Sequence, residues 1–303
     1  DHQLFWRHIA GLTSSKTTRS NGINAEAWVT HVGELYGDPQ THFRLFPNFA
    51  ADQPAPLVKE LENTAFQLVT RTRIKSILKK MRFNVAPGPN GLPGSAFKAN
   101  QPAWAQILLS TYNDAFLTSS VPNSWRGSLL CPIFKQGDRS LPSNYRLIAL
   151  LDIDGKGYAT NLLIEFESWP QANSILPLYQ TGFRPQAATT DNAITLAYLA
   201  YQAGLPGKRP LFSCFIDYSA AFDRVVREIL WKKLFDWGIP DKLLNAIISL
   251  YSSTWVRVKL DQAHTTPPIQ TSRGLKQRCV LAPLLFNLYT ADLGRALGGS
   301  GML

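Results

Sequence analysis

The residues best suited to chemistry lie in one stretch, Phe215-Ile216-Asp217-Tyr218-Ser219-Ala220-Ala221-Phe222-Asp223. The apolar run Leu211 to Ile216 has strand-forming residues and ends on Asp217. A carboxylate at the end of a buried strand is held rigidly and faces a cleft, where a Mg²⁺ ion would want an oxygen ligand. A turn or capping residue is the alternative for Asp217 taken alone. Asp223, just ahead of Val225-Val226-Arg227-Glu228, reads as a helix N-cap.

The rest of the chain must position these groups. Its 303 residues are 45% hydrophobic and 17% charged, a globular balance that excludes a disordered chain. Lys and Arg outnumber Asp and Glu by 31 to 21, giving a net charge of +10 that favours polyanionic partners. Cys131, Cys214 and Cys279 are far apart and form no metal-ligand spacing, which fits reduced thiols in an intracellular protein. No apolar run approaches the ~20 residues of a membrane span. The opening Asp1-His2-Gln3 has neither initiator Met nor leader and suggests a piece of something longer.

Helices are predicted near Trp28–Tyr36, Glu60–Met81, Trp104–Phe116, 154–170, 189–203, 225–237, 241–251 and 282–293. Thr189 or Thr190 is the candidate N-cap of the 189–203 helix. Arg71, Lys75, Lys79 and Arg82 share one face of the second helix, either a solvated surface or a phosphate-facing ridge. Strands are predicted at Arg126–Phe134 and 211–216, with a hairpin of 254–260 and 268–272. Ala86 to Pro93 is too rich in Pro and Gly for any element interior. Strands and helices mix without a βαβ period, so the expected class is α+β.

The stretch around Asp217 resembles motif A of the reverse transcriptases of non-LTR (LINE-type) retrotransposons, F-x-D-x-x-x-A-F-D. Five more blocks follow that family's order. Ala86–Pro93 resembles its Ala-Pro-Gly-Pro block, with Asn90 for Asp. Pro132–Asp138 is similar to its P-I-x-K-x-G-D strand, and Asn144–Leu151 to N-Y-R-P-I-S-L-L with Leu147 for Pro. Gln180–Arg184 resembles Q-x-G-F-R. Gly274–Pro283 resembles motif B, with Arg278 where the family has Gly.

The resemblance implies a partial right-hand polymerase: a leader at 1–60, fingers at 61–205 and an incomplete palm at 206–303. It implies RNA-templated DNA synthesis, a nucleotidyl transfer, with an RNA template, a DNA primer and dNTPs as partners, no membrane, and residence in cytoplasm and nucleus. Asp217 would be the catalytic, Mg²⁺-binding carboxylate. Tyr218 would lie beside the incoming nucleotide, Phe222 would exclude a ribose 2′-hydroxyl, and Gln277 would line the pocket. Lys135 and Arg146 would contact the triphosphate, as a mobile point charge and a bidentate fork respectively. The family's later Asp pair has no counterpart after motif B here, and Asp292 lies on the expected motif B helix without an Asp neighbour. The expectation is therefore a chain inactive alone, with an apolar strand edge at 211–217 prone to aggregation. Arg278 is expected to intrude on the pocket or distort its turn. Two rivals are a non-catalytic nucleic-acid-binding remnant and a pseudogene product.

Overall fold

The structure is a computed structural model that describes residues 22–37, 69–81, 85–184, 187–261 and 263–296. Its centre is a four-stranded sheet in the order β2-β1-β3-β4, formed by β1 (Gly127–Phe134), β2 (Tyr145–Leu150), β3 (Thr254–Val258) and β4 (Ile269–Thr271). β1 and β2 form an antiparallel pair with Leu129 opposite Leu150 and Ile133 opposite Arg146. β3 lies parallel to β1, with Gly127 opposite Trp255, and antiparallel to β4. The sheet thus joins strands from both sides of residue 205. The chain is α+β, as expected.

Helices surround the sheet. They are α1 (Ala25–Tyr36), α2 (Arg71–Lys80), α3 (Gly94–Ala99), α4 (Gln101–Thr118), α5 (Asn123–Arg126), α6 (Ile153–Phe166), α7 (Ser168–Ala172), α8 (Thr189–Ala203), α9 (Arg227–Asp236), α10 (Asp241–Tyr251), α11 (Ala282–Tyr289) and α12 (Leu293–Ala296). Polar caps start several of them. Asn24, Thr70 and Asn100 each accept a hydrogen bond from a backbone N–H in the first turn of α1, α2 and α4. Trp28, Val32 and Tyr36 recur every four residues and give α1 one buried face. That helix lies inside the expected leader, yet it packs into the common core beside Tyr145 of β2, ring against ring at 5.5 Å. In α2 the apolar Ile74, Ile77 and Leu78 are buried. Its Arg71, Lys75 and Lys79 are exposed, and Arg73 pairs with Glu165. Arg82 and residues 60–68 of that expected helix lie outside the described residues. Among the described residues no helix is long and apolar enough to cross a membrane.

Several elements differ from expectation. No strand forms at 211–216, where Phe212 and Phe215 are 90% and 82% exposed. Apolar and aromatic residues favour strands because they fit a pleated, half-buried surface, and among the described residues this segment has neither a paired strand nor a layer to bury against. α8 likewise buries none of its residues, leaving Ile194, Tyr198 and Tyr201 exposed. Its N-cap is Ala188, whose N–H donates to the Asp191 side chain (2.8 Å), and neither Thr189 nor Thr190 takes that role. The final predicted helix ends at Tyr289 and resumes at Leu293. Asp292 therefore lies beyond the helix, where it pairs with buried Lys233 at 2.6 Å.

One buried cation organises the junction of helices and hairpin. Arg227, 6% exposed at the start of α9, donates to the carbonyls of Gly274 (2.8 Å), Tyr251 (3.1 Å), Thr271 (3.2 Å) and Arg273 (3.0 Å). It also donates to the hydroxyls of Thr254 (2.7 Å) and Thr271 (3.3 Å). Burying an ion is tolerable only when its hydrogen bonds are met, and these acceptors meet the guanidinium's geometry. Arg227→Met strands several buried acceptors at once and should cost about 3 kcal/mol or more of unfolding free energy, read as a lowered urea midpoint. A change under about 1 kcal/mol contradicts the role given to this side chain.

Candidate active site

The segment after β4 carries the motif B residues, and its backbone is set by a glycine. Gly274 has φ +86°, and a Cβ there would sit 2.8 Å from the Asp223 carbonyl oxygen. That close approach lets Gly274 N–H donate to Val225 (2.8 Å) and Leu275 N–H to Phe222 (2.8 Å), fastening the motif B turn to the end of motif A.

The turn delivers Gln277 to Asp223. Gln277 Nε2 lies 2.9 Å from Oδ1 and 3.1 Å from Oδ2 of the Asp223 carboxylate. The Tyr36 hydroxyl, from the end of α1, donates to the same Oδ1 at 2.7 Å. Asp223 is thus a buried hub, and the helix N-cap expected of it falls to Val226. The F-x-D-x-x-x-A-F-D spacing already contained this residue. Its role was hidden because both partners, Tyr36 and Gln277, lie far away in sequence. Burial raises the Asp223 carboxyl above the ordinary Asp range, while the hydrogen bonds from Tyr36 and Gln277 and the charge of Lys135 pull it back.

Lys135 and Arg146 come together on the sheet. Ile133 pairs with Arg146 across β1 and β2, and Lys135 follows Ile133 by two, so side-chain alternation puts the two cations on one face as diagonal neighbours. Both are exposed. Lys135 is also near enough to Asp223 for its charge to act on that carboxyl. Strand register thus sets Lys135 beside Arg146, and its charge bears on Asp223, which Gln277 holds.

Phe222 stacks on Phe286 of α11, with ring centres 4.8 Å apart, and meets Phe183 edge-on at 6.1 Å. Tyr218 approaches the same Phe286 ring at 6.2 Å. Asp217 precedes Tyr218 directly. It is exposed, on the unpaired segment, and has no rigid strand to hold it. Among the described residues no group of three or more His, Cys, Asp or Glu side chains could hold a metal ion. These residues do not assemble a metal cage, and Asp217 alone supplies too few oxygens for one.

The departures from the family blocks have local consequences. Asn90 accepts from Leu92 N–H (3.0 Å) and donates through its amide to the Asp154 carboxylate (3.2 Å). An Asp at 90 would set two carboxylates against each other. Leu147 is buried in β2 opposite Pro132. Arg278 adopts φ +64°, the left-handed region where glycine is at ease, and it is exposed. The turn at Arg278 thus keeps a conformation that suits the glycine of the family block.

Behind the turn lies a buried polar cluster. Lys276 Nζ donates to the Trp125 carbonyl at 2.6 Å, and burial pushes its ammonium down to about 7. Asp152, which accepts from Asn90 N–H at 3.0 Å, is pushed up to about 6, chiefly by burial.

A family model described as reverse transcriptase (RNA-dependent DNA polymerase) matches residues 133–300, more than half of the chain. The chain belongs to the reverse transcriptase family. Within that family, its similarities run to RNA-directed DNA polymerases of mobile elements. It is 26% identical over 252 residues to the RNA-directed DNA polymerase from mobile element jockey of Drosophila funebris, covering 81% of this chain and 27% of that protein. It is 26% identical over 264 residues to the probable RNA-directed DNA polymerase from transposon BS of Drosophila melanogaster, covering 84% and 28%. A 149 kDa protein of transposon TX1 from Xenopus laevis is 26% identical over 234 residues, covering 77% and 18%. The chain thus spans under a third of the length of these curated relatives. Reverse transcriptases generally use a divalent metal.

Two outcomes follow from the turn. Arg278→Gly relieves a left-handed non-glycine residue and should raise the urea midpoint, by about 1 kcal/mol in stability; a lowered midpoint contradicts the strain. For Lys276, the unfolded chain keeps its proton to about pH 10.4 while the folded chain releases it near 7. The unfolded state therefore binds more protons between those limits, and stability rises with pH across them. Lys276→Met should be most stabilising, relative to the natural chain, below pH 7, with the difference shrinking from pH 7 to 10 in thermal melts. A pH-independent difference contradicts the buried, proton-releasing lysine.

Proposed function

We propose that this chain is the fingers (61–205) and part of the palm (206–303) of an RNA-templated DNA polymerase, and that it binds a deoxynucleoside triphosphate against Lys135, Arg146 and Gln277. The observation that carries this reading is the placement of Lys135 and Arg146 on one sheet face, with Lys135 acting on Asp223 and Gln277 hydrogen-bonded to that carboxylate. Two exposed cations side by side suit a triphosphate: the lysine as a mobile charge, the arginine as a planar fork. Phe222, held between Phe183 and Phe286, gives the pocket a fixed aromatic wall that sterically disfavours a ribose 2′-hydroxyl. The exposed α2 cations Lys75 and Lys79 suit the phosphates of an RNA template paired with a DNA primer.

The 303-residue chain by itself is proposed to bind these partners without extending the primer. The support is Asp217, the proposed Mg²⁺-binding catalytic carboxylate, which is exposed on a segment that does not hold it. Among the described residues Asp217 lacks the neighbouring carboxylates or other ligands with which to hold Mg²⁺.

The test measures affinity for a fluorescent deoxynucleotide and for an RNA–DNA primer duplex across salt concentrations. Lys135→Ala with Arg146→Ala should weaken nucleotide binding at least ~10-fold, and duplex binding should fall steeply with added salt. Unchanged nucleotide affinity in the double variant overturns the pocket assignment. Robust incorporation by the purified chain with Mg²⁺ and deoxynucleotides overturns the proposed inactivity.

A further inference from the structure

We propose that Tyr36 is a positioning residue for the nucleotide pocket, holding the Asp223 carboxylate so that it fixes which way the Gln277 amide faces. The inference rests on the nucleotide reading given above for Gln277.

The chemistry starts from Asp223. An ionised carboxylate only accepts hydrogen bonds, so a side-chain amide facing it must present its NH₂ group. Gln277 Nε2 reaches both carboxylate oxygens, at 2.9 and 3.1 Å. The amide's Oε1 is then the atom left to accept from a ligand. The pocket is committed to recognising a donor group on the incoming nucleotide. If the carboxylate turned or took a proton, the amide could flip and offer a donor where an acceptor had been.

Tyr36 prevents both changes. Its hydroxyl donates to Asp223 Oδ1 at 2.7 Å in a buried bond, which favours the ionised form and fixes the carboxylate's rotation. The hydroxyl is itself held by the loop that carries Gln277. Arg273 donates to the carbonyls of Leu35 (2.9 Å) and Glu34 (2.6 Å), and Ser272 N–H donates to that of Tyr36 (3.0 Å). Those carbonyls end α1, where a guanidinium is favoured by the helix dipole. Residues 272–273 thus seat the end of α1, and α1 returns a hydroxyl that governs residue 277 through Asp223. The charged and titratable groups bearing on Asp223 are Tyr36 from α1 and Lys135 beyond β1, with Arg227 of α9 acting on Tyr36.

The experiment compares Tyr36→Phe with Val32→Ala, which loosens the same helix without touching Asp223. In the full chain, carboxyl-labelled aspartate is titrated by NMR with Asp223→Asn to assign its signal, side-chain amide exchange of Gln277 is measured, and labelled dTTP affinity is recorded. Tyr36→Phe should move the Asp223 titration to higher pH, speed Gln277 amide exchange and weaken dTTP binding about 5-fold, corresponding to one lost hydrogen bond. Val32→Ala should lower the melting temperature and leave the Asp223 titration in place. An unmoved Asp223 titration with unchanged Gln277 exchange in Tyr36→Phe overturns the proposal, as does unchanged dTTP affinity where the natural chain binds dTTP. A natural chain that fails to bind dTTP refutes the nucleotide reading instead, and the two NMR readouts still decide whether Tyr36 governs Gln277.

Discussion

The Arg227 guanidinium has no carboxylate among its hydrogen-bond acceptors, and its six acceptor atoms come from the end of α10, the start of β3, the end of β4 and the turn beyond it. A carboxylate partner would have neutralised it at one point. Carbonyls and hydroxyls spread the same charge over four segments and so fix their mutual positions. Burial lowers the Arg227 pKa, yet an arginine stays charged in protein interiors, which a lysine in the same place need not. The hairpin and the turn that bears Gln277 therefore take their geometry from Arg227.

The pocket face repeats this economy at a smaller scale. Asp223 is costly to bury, and hydrogen bonds from Tyr36 and Gln277, with the charge of Lys135, offset that cost. Gly274 is what allows the turn to come close enough for this, through its approach to the Asp223 carbonyl. Arg278, four residues on, occupies a left-handed position without glycine's freedom. The turn accepts one strained residue because Arg227, Arg273 and Lys276 anchor the backbone just before it.

What could be read from the residues depended on whether the deciding contact was local. α10 was legible to its last residue because Gly238-Ile239-Pro240 breaks the chain before it and its apolar spacing is regular. β1 and the β3–β4 hairpin were likewise carried by their own composition. The family blocks marked Lys135, Arg146, Phe222, Gln277 and Asp217 as residues, but not the contacts that Phe222 and Gln277 make with Phe286 and Asp223. The segment 211–216 was misread because strand propensity describes a surface waiting for a neighbour, and the neighbour is what local sequence cannot supply. β2 was missed as a strand because it was read only as part of a motif. The part of Asp223 as hub was hidden for a related reason, since its partners lie 187 and 54 residues away.

The parallel pairing of β1 with β3 sets Gly127 against Trp255, and a Cβ at 127 would collide with that indole ring at 2.4 Å. The two strands are separated by 128 positions (255 − 127). The β1–β2 hairpin, by contrast, closes over the ten residues 135–144. Closing the short loop is rapid, and closing the long one costs more chain entropy before any contact rewards it. A two-stranded hairpin is marginal by itself, so the free edge of β1 gains its partner only once β3 has been made. The sheet is complete only when residue 255 has joined residue 127.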